Sequence, residues 1–329
     1  MSSDLRIAFL GTHHPAVPTL RVLAERGWVA VVVLPEDAGA RNDGLHAIIR
    51  EFGLAWSYRL GDIDAHRPNL LLAANYPKLV PARYLEAFPC INTHWSLLPR
   101  WRGVHGTAWA LINGDEAIGL SVHRMAGEFD TGPILAQAAV RRTPDLTLES
   151  LHEKLARLQA NEVLRVLDHY RVTGELPAIP QDEKDATYVP QRVPADGLID
   201  WTWPTGRIAG LVTALHAPGY PGAFTHLEGR RLVIHRAVAA DCPPYFCTPG
   251  QVVRVKGGGG VWIKTGDTCL EVSAVSWGDD TPVLPAREIL KRGMKLGLNL
   301  EDEVARLRGE VDVLRSELAA MKTWMEVRA

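Results

Sequence analysis

The chain has 329 residues, 47% hydrophobic and 22% charged, with a formal net charge of -2. That length exceeds one typical domain and the composition supports a large core, which excludes disorder as the default and favours two domains. The near-neutral balance excludes a molecule-wide field toward nucleic-acid phosphates or anionic lipid, so nucleic-acid binding would need a local basic patch.

Met1 leads almost directly into the apolar run "LRIAFL" without the order of a signal peptide, and no stretch of about 18 apolar residues could span a bilayer. A cytoplasmic location is expected. Cys90, Cys242, Cys247 and Cys269 lack C-x-x-C spacing and read as reduced thiols. After the first strand and Gly11, "VPTLRVLAERGW" has helical spacing; "WVAVVVL" is a strand, "DGLHAIIREFGL" a helix and "NLLLAANY" a buried strand. Alternation of this kind predicts an α/β fold, a parallel sheet with helices on both faces.

"PCINTHWS" supplies the next strand, entering a loop at its carboxyl end, where ligands of open α/β sheets bind. After the helix "GTAWALINGDE", "GLSVHRM" and "ILAQAAV" are strands joined by "AGEFDTGP", and 146–172 is a long amphipathic helix stopped at Gly174. Residues 175–195 are rich in Pro and charge without periodicity and read as a linker. Beyond it, short β-branched runs punctuated by glycine predict a small antiparallel barrel or sandwich, with Gly257–Gly260 in a hairpin loop.

The tail is a heptad seam, with Val304, Val311 and Leu318 at a and Leu307, Leu314 and Met321 at d. Glu303, Glu310 and Glu317 then fall at g, and Arg308, Arg315 and Lys322 at e. Each g residue meets a basic e residue of a parallel partner, so the pattern predicts a parallel two-stranded coiled coil and a homodimer. A single helix packed on its own domain is the alternative.

Asn92 and His94 are two apart, which on a strand puts both side chains on one face. An amide can donate to a developing oxyanion, and an imidazole can donate and also move a proton, the two services an acyl transfer to an amine requires. A His among apolar residues is commonly structural, so specificity has to come from elsewhere. Asp130, in the turn "GEFDTGP", could orient and charge a histidine, or could simply form the turn.

"INTHWSLLPRWRG", followed 36 residues after His94 by the Asp of "DTGPI", resembles the signature of 10-formyltetrahydrofolate-dependent formyltransferases. The likeness runs from residue 5 to about 295 and includes "DATYVPQRVPADGLIDWTWPTGRIAGLVTAL" and "PGYPGAFTHLEGRRLVI". It implies a modified Rossmann-type catalytic domain over 1–175, a linker at 176–195 and an OB-like β domain over 196–296. The coiled-coil helix, 297–329, lies outside the resemblance. Asn92, His94 and Asp130 correspond to the family's catalytic residues. Pro77, Lys78 and Val80, with Ala126, Glu128 and Phe129, become contacts of the folate pterin, largely through main-chain groups. Trp95 departs from the small residue or Pro usual after the His.

The expected reaction is transfer of a formyl group from 10-formyltetrahydrofolate, without a metal, to a primary amine. For the acceptor, "LPEDAGARNDGLHAII" lacks the long basic insertion of tRNA-acting members, and residues 190–290 carry nine Lys and Arg against nine Asp and Glu. The "PGYPGAF" stretch resembles enzymes acting on nucleotide-linked amino sugars, which makes such a sugar the expected acceptor and nucleic acid a disfavoured partner. Methionyl-tRNA, hydroxyornithine and other amino-acid or peptide amines are the alternatives. Arg102 could meet an acceptor phosphate or bond loop carbonyls. His13, His14 and His105 could line the acceptor cleft; their spacing supports no metal site. An oxidoreductase is disfavoured because "FLGTHHPAV" lacks the glycines of the dinucleotide fingerprint.

Overall fold

The computed structural model describes residues 4–143, 146–216, 222–298 and 300–328. The chain divides into two compact units, the first comprising residues 1–196 and 213–218 and the second the remainder.

In the first unit the order is β1 (Ile7–Gly11), α1 (His13–Glu25), β2 (Val29–Val33), α2 (Asp43–Phe52), β3 (Trp56–Ser57), β4 (Leu70–Ala74), α3 (Ala82–Ala87) and β5 (Cys90–His94). Then come β6 (Arg102–Gly103), α4 (Gly106–Ile112), β7 (Ala117–Arg124), β8 (Ile134–Arg141), α5 (Leu148–Thr173) and β9 (Tyr188–Val189). Seven strands form one sheet in the order β3-β2-β1-β4-β5-β7-β8. The first five run parallel, while β7 is antiparallel to β5 and β8 to β7. The sheet is therefore mixed, its parallel part Rossmann-like, and the hairpin β7–β8 carries the "AGEFDTGP" loop. β1 and β4 are buried along their whole length, as strands covered on both faces must be.

Two details differ from the sequence expectation. α1 begins at His13 rather than at Val17, because Pro15 sits in the first turn, where a missing N–H costs nothing. The segment read as a linker is bonded to the first unit: Ile179 exchanges backbone hydrogen bonds with Ile134, and β9 pairs in parallel with β6. Proline and charge conceal such pairing because it has no period of its own. α5 ends as its sequence predicts, on Gly174 in the left-handed region, and starts on a capping box between Thr147 and Ser150.

The second unit holds a six-stranded antiparallel sheet, ordered β10 (Ala223–Leu227), β11 (Arg230–Ala239), β14 (Cys269–Trp277), β13 (Val261–Lys264) and β12 (Val252–Val255), with β15 (Leu284–Pro285) also on β14. α6 (Thr205–Leu215) precedes the sheet, and α7 (Ala286–Ile289) follows it. β12 and β13 make a hairpin across Gly257–Gly260. Residues 218–221 of the "PGYPGAF" stretch lie outside the described residues. The chain ends in α8 (Leu300–Arg328), on which Val304, Leu307, Val311, Leu314, Leu318 and Met321 are exposed.

Candidate active site

β5 delivers Asn92 and His94 to one face, and β7 lies beside it with His123 directly opposite Asn92. Cross-strand partners of this kind stand close enough to bond. Asn92 Nδ2 donates to His123 Nε2 at 3.0 Å. Asp130 reaches between the two rings: Oδ1 is 3.5 Å from His123 Nε2 and Oδ2 is 3.5 Å from His94 Nδ1. The structure thus brings Asn92, His94 and Asp130 into one cluster, joined by a histidine that sequence reasoning missed. Its signal was present in the alternation of "GLSVHRM", which puts His123 on the face of Ser121, but only the strand pairing shows what that face meets.

The loop after β5 is fixed by polar groups of the sheet. Ser121 Oγ donates to the Ser96 carbonyl (2.7 Å) and accepts from Leu98 N (3.0 Å), while Gln137 Nε2 donates to the Leu98 carbonyl (2.9 Å). Asp130 adopts φ +59°, a left-handed conformation that Asp tolerates better than most residues. Gln181 holds it there, its Nε2 donating to the carbonyls of Asp130 and Gly132, both at 2.7 Å. Gly103 N donates to Asp130 Oδ2 at 2.9 Å; at φ +102° and packed against the Val189 carbonyl, this position leaves no room for a side chain.

Electrostatics divide the roles. Burial pushes the Asp130 carboxyl upward, but His123 and His94 in their protonated forms, together with the Gly103 N–H, outweigh it in acid and bring the pKa to about 2. For His94 burial wins: it lowers the pKa below the usual imidazole value despite Asp130 and the Trp101 carbonyl, so the resting ring is neutral. Nε2 sits 2.8 Å from the Trp101 carbonyl oxygen, which can only accept, so Nε2 carries the proton and Nδ1 keeps a lone pair facing Asp130. A proton arriving at Nδ1 would be stabilised by a fixed carboxylate. The arrangement can therefore take a proton from a nucleophile and hold it.

The other sequence candidates are distributed around this centre. Arg102 is fully buried, its guanidinium donating to both Glu183 carboxylate oxygens, to Gln181 Oε1 and to Tyr188 OH. It is a structural clamp with no face left for an acceptor phosphate, because the segment counted as linker had already claimed its donors. Pro77 and Lys78 are exposed on the loop after β4, and Ala126, Glu128 and Phe129 on the loop bearing Asp130. Leu79 and Phe129 expose 62% and 66% of their surface, apolar area suited to a flat heterocycle whose edge would bond to main-chain groups. Val80 packs in the core beside Tyr84, so only its backbone remains for such a contact. His13, at φ +64°, opens α1 at the end of β1, with its N–H on Asn42 Oδ1 (3.1 Å). His14 is exposed, and His105 precedes α4 at φ +66°, with Nδ1 accepting from Arg192 N at 3.5 Å. Trp95 turns its indole inward, donating to Gln159 Oε1 at 2.8 Å. Among the described residues no group of three or more His, Cys, Asp or Glu could hold a metal, and no helix is long and apolar enough to cross a membrane.

A family model described as "Formyl transferase" matches residues 56–167, and one described as "Formyl transferase, C-terminal domain" matches 192–292. The methionyl-tRNA formyltransferase of Geobacter sulfurreducens is 33% identical over 271 residues, covering 77% of this chain and 83% of its own. Among solved structures, WlaRD, a sugar 3N-formyl transferase crystallised in the presence of dTDP and 5-N-formyl-THF, superposes with a TM-score of 0.64 at 15% identity, covering 82% of this chain and 97% of its own. The N-formyltransferase of Helicobacter canadensis, in complex with folinic acid and dTDP-3-aminofucose, gives 0.62 at 14% identity, covering 82% and 98%. At those identities the structures share the fold; the sequence relatives and both domain matches go further, and the chain belongs to the formyl transferase family.

Proposed function

We propose that the chain transfers the formyl group of 10-formyltetrahydrofolate to a primary amine, and that the amine is the α-amino group of methionyl-tRNA. The observation that carries the acceptor is identity of 33% to methionyl-tRNA formyltransferases over 271 and 288 residues, across both domains. This replaces the amino sugar as first reading.

Asn92 donates an amide N–H to the formyl oxygen as charge develops on it, and His94 Nδ1 takes the proton that the attacking amine loses. The new C–N bond forms as the bond to folate N10 breaks, and the proton passes from His94 to N10, giving the formamide and tetrahydrofolate. Asp130 stabilises the imidazolium in between. The exposed strips at 77–79 and 126–129 are the pterin side of the site.

A nucleotide-linked amino sugar remains as second reading on one observation: residues 190–290 balance nine basic against nine acidic side chains, where a surface gripping tRNA gains from excess positive charge. Incubation with 10-formyltetrahydrofolate and either methionyl-tRNA or dTDP-linked amino sugars, followed by tetrahydrofolate release, separates the two. Turnover on the sugar alone reverses the assignment, and release with neither acceptor directs the search to hydroxyornithine or peptide amines.

The same reading makes the second unit an OB-like module, places the protein in the cytoplasm and pairs two copies through α8. The pairing rests on the exposed a and d side chains and on the acidic g and basic e positions. An antiparallel pair would set Glu against Glu and base against base, so the copies run parallel. Truncation after Leu298 leaves a monomer in sedimentation, and Val304→Cys cross-links its own partner on oxidation; a dimer that survives the truncation removes the zipper's role.

A further inference from the structure

His123 is 2% exposed at the centre of the cluster, yet the reaction outlined above gives it no step. Its neighbours fix its tautomer. Nδ1 lies 3.0 Å from the Arg124 carbonyl oxygen, which can only accept, so Nδ1 bears the proton. In the neutral ring Nε2 is then an acceptor, and the group it receives is an N–H of Asn92. One of the two amide N–H bonds is thereby committed, and the second stays available for an oxyanion. An amide without such an anchor is free to turn about its terminal torsion, which is broad and two-fold, and to present its oxygen instead. That oxygen would repel the developing charge. A proton on Nε2 would have the same effect, since it would be drawn to Asp130 Oδ1 and would oblige Asn92 to offer its carbonyl.

We infer that His123 is a positioning residue for formyl transfer, holding the Asn92 amide with its nitrogen toward the reacting carbonyl by a hydrogen-bond chain that starts at the Arg124 carbonyl. The inference rests on the reading of Asn92 as oxyanion donor. The strand register supplies its rigidity, because Asn92 and His123 are direct cross-strand partners whose backbones cannot shift separately.

A double-mutant cycle tests it, read as tetrahydrofolate release with methionyl-tRNA and a dTDP-linked amino sugar as parallel acceptors. His123→Leu is expected to lower kcat about 10- to 100-fold while KM for 10-formyltetrahydrofolate stays within about twofold. His123→Gln, whose Oε1 can accept near the Nε2 position, retains most of the turnover. In an Asn92→Ala background His123→Leu costs less than about threefold more, since the residue it orients is gone. Nitrogen NMR of the imidazoles in the unaltered chain, which needs neither acceptor nor variant, shows His123 protonated at Nδ1 and bare at Nε2. Equal losses in both backgrounds, undiminished turnover of a folded His123→Leu, or a proton on Nε2 would each overturn the inference. An active Asn92→Ala removes the catalytic reading and this inference together, whereas an impaired Asn92→Ala beside an active His123→Leu removes only the latter.

Discussion

Asp130 is held at 7% exposure by atoms from four separate stretches: His94 on β5, Gly103 on β6, His123 on β7 and Gln181 in the segment before β9. Along α8, by contrast, Val304, Leu307, Val311, Leu314 and Leu318 follow one another on a single helix, each between 44% and 62% exposed. In the first region the carboxylate finds its partners inside the chain, far away in sequence. In the second the apolar side chains stand exposed, and their spacing is the whole signal. A buried polar network is all-or-none, since a group left unmatched costs more than the bond is worth. A heptad seam is additive, layer by layer, and works only when a second copy arrives.

The sharpest way to break the first half of that contrast is Asn92→Ala. Removing an oxyanion donor costs about 2.7 to 4 kcal/mol, so kcat should fall by roughly two to three orders of magnitude. The measurement is steady-state tetrahydrofolate release by a variant whose thermal transition matches that of the parent. A loss of tenfold or less would move the oxyanion site elsewhere.

The additive half predicts a graded response. Leu314→Ala at a d position removes about 1.5 kcal/mol of burial from each of two helices, so the dimer should weaken by about two orders of magnitude. Sedimentation equilibrium reads the shift, and turnover per chain at saturating substrate should not change. A dimer unmoved by the substitution means that α8 is not the seam.

Legibility in the sequence follows the same division. β1, β2, β4 and β5, α5 with its Gly174 stop, the β7–β8 hairpin and the heptads were readable, because each is set by periodicity or by one local residue. Asn92, His94 and Asp130 were readable as residues that come together. His123 and Gln181 were not: one looked like an ordinary strand residue and the other lay in a Pro-rich stretch, and their roles exist only once β7 lies beside β5 and the 176–195 segment folds back. Arg102 stayed open between an acceptor phosphate and a structural bond to loop carbonyls for that reason; its role is structural, but with the side chains of Glu183, Gln181 and Tyr188. Two-residue strands such as β6 and β9 are too short to carry any period.

Acid sharpens the description of the carboxylate. Asp130 titrates near 2 in the folded chain against 3.8 ordinarily, so the unfolded state binds its proton more readily and folding stability rises with pH across that interval. This contribution, about 2 kcal/mol, is complete above pH 4 and disappears as pH falls toward 2. Denaturant titrations of the parent and of Asp130→Asn at a series of acid pH values should differ in slope over that window, the variant being flatter. Identical slopes would mean that the two histidines do not hold the carboxylate in its charged form.

The smallest expected effect belongs to Gln181, and it bears most directly on long-range closure. Gln181→Leu keeps the volume but leaves the Asp130 and Gly132 carbonyls without their donor, and it also releases the Arg102 guanidinium from Oε1. The φ +59° turn at Asp130 then loses the tether that opposes its relaxation, so the carboxylate drifts from His94 and His123 by a fraction of an ångström. Misplacement on that scale costs roughly tenfold in kcat, less than loss of a donor, while folate binding through the exposed strips is left alone. The decisive comparison is with Gln181→Glu. It retains an acceptor for Arg102 but cannot donate to the two carbonyls, so it should fall as far as Gln181→Leu if the tether is what counts, and should recover if the partner of Arg102 is.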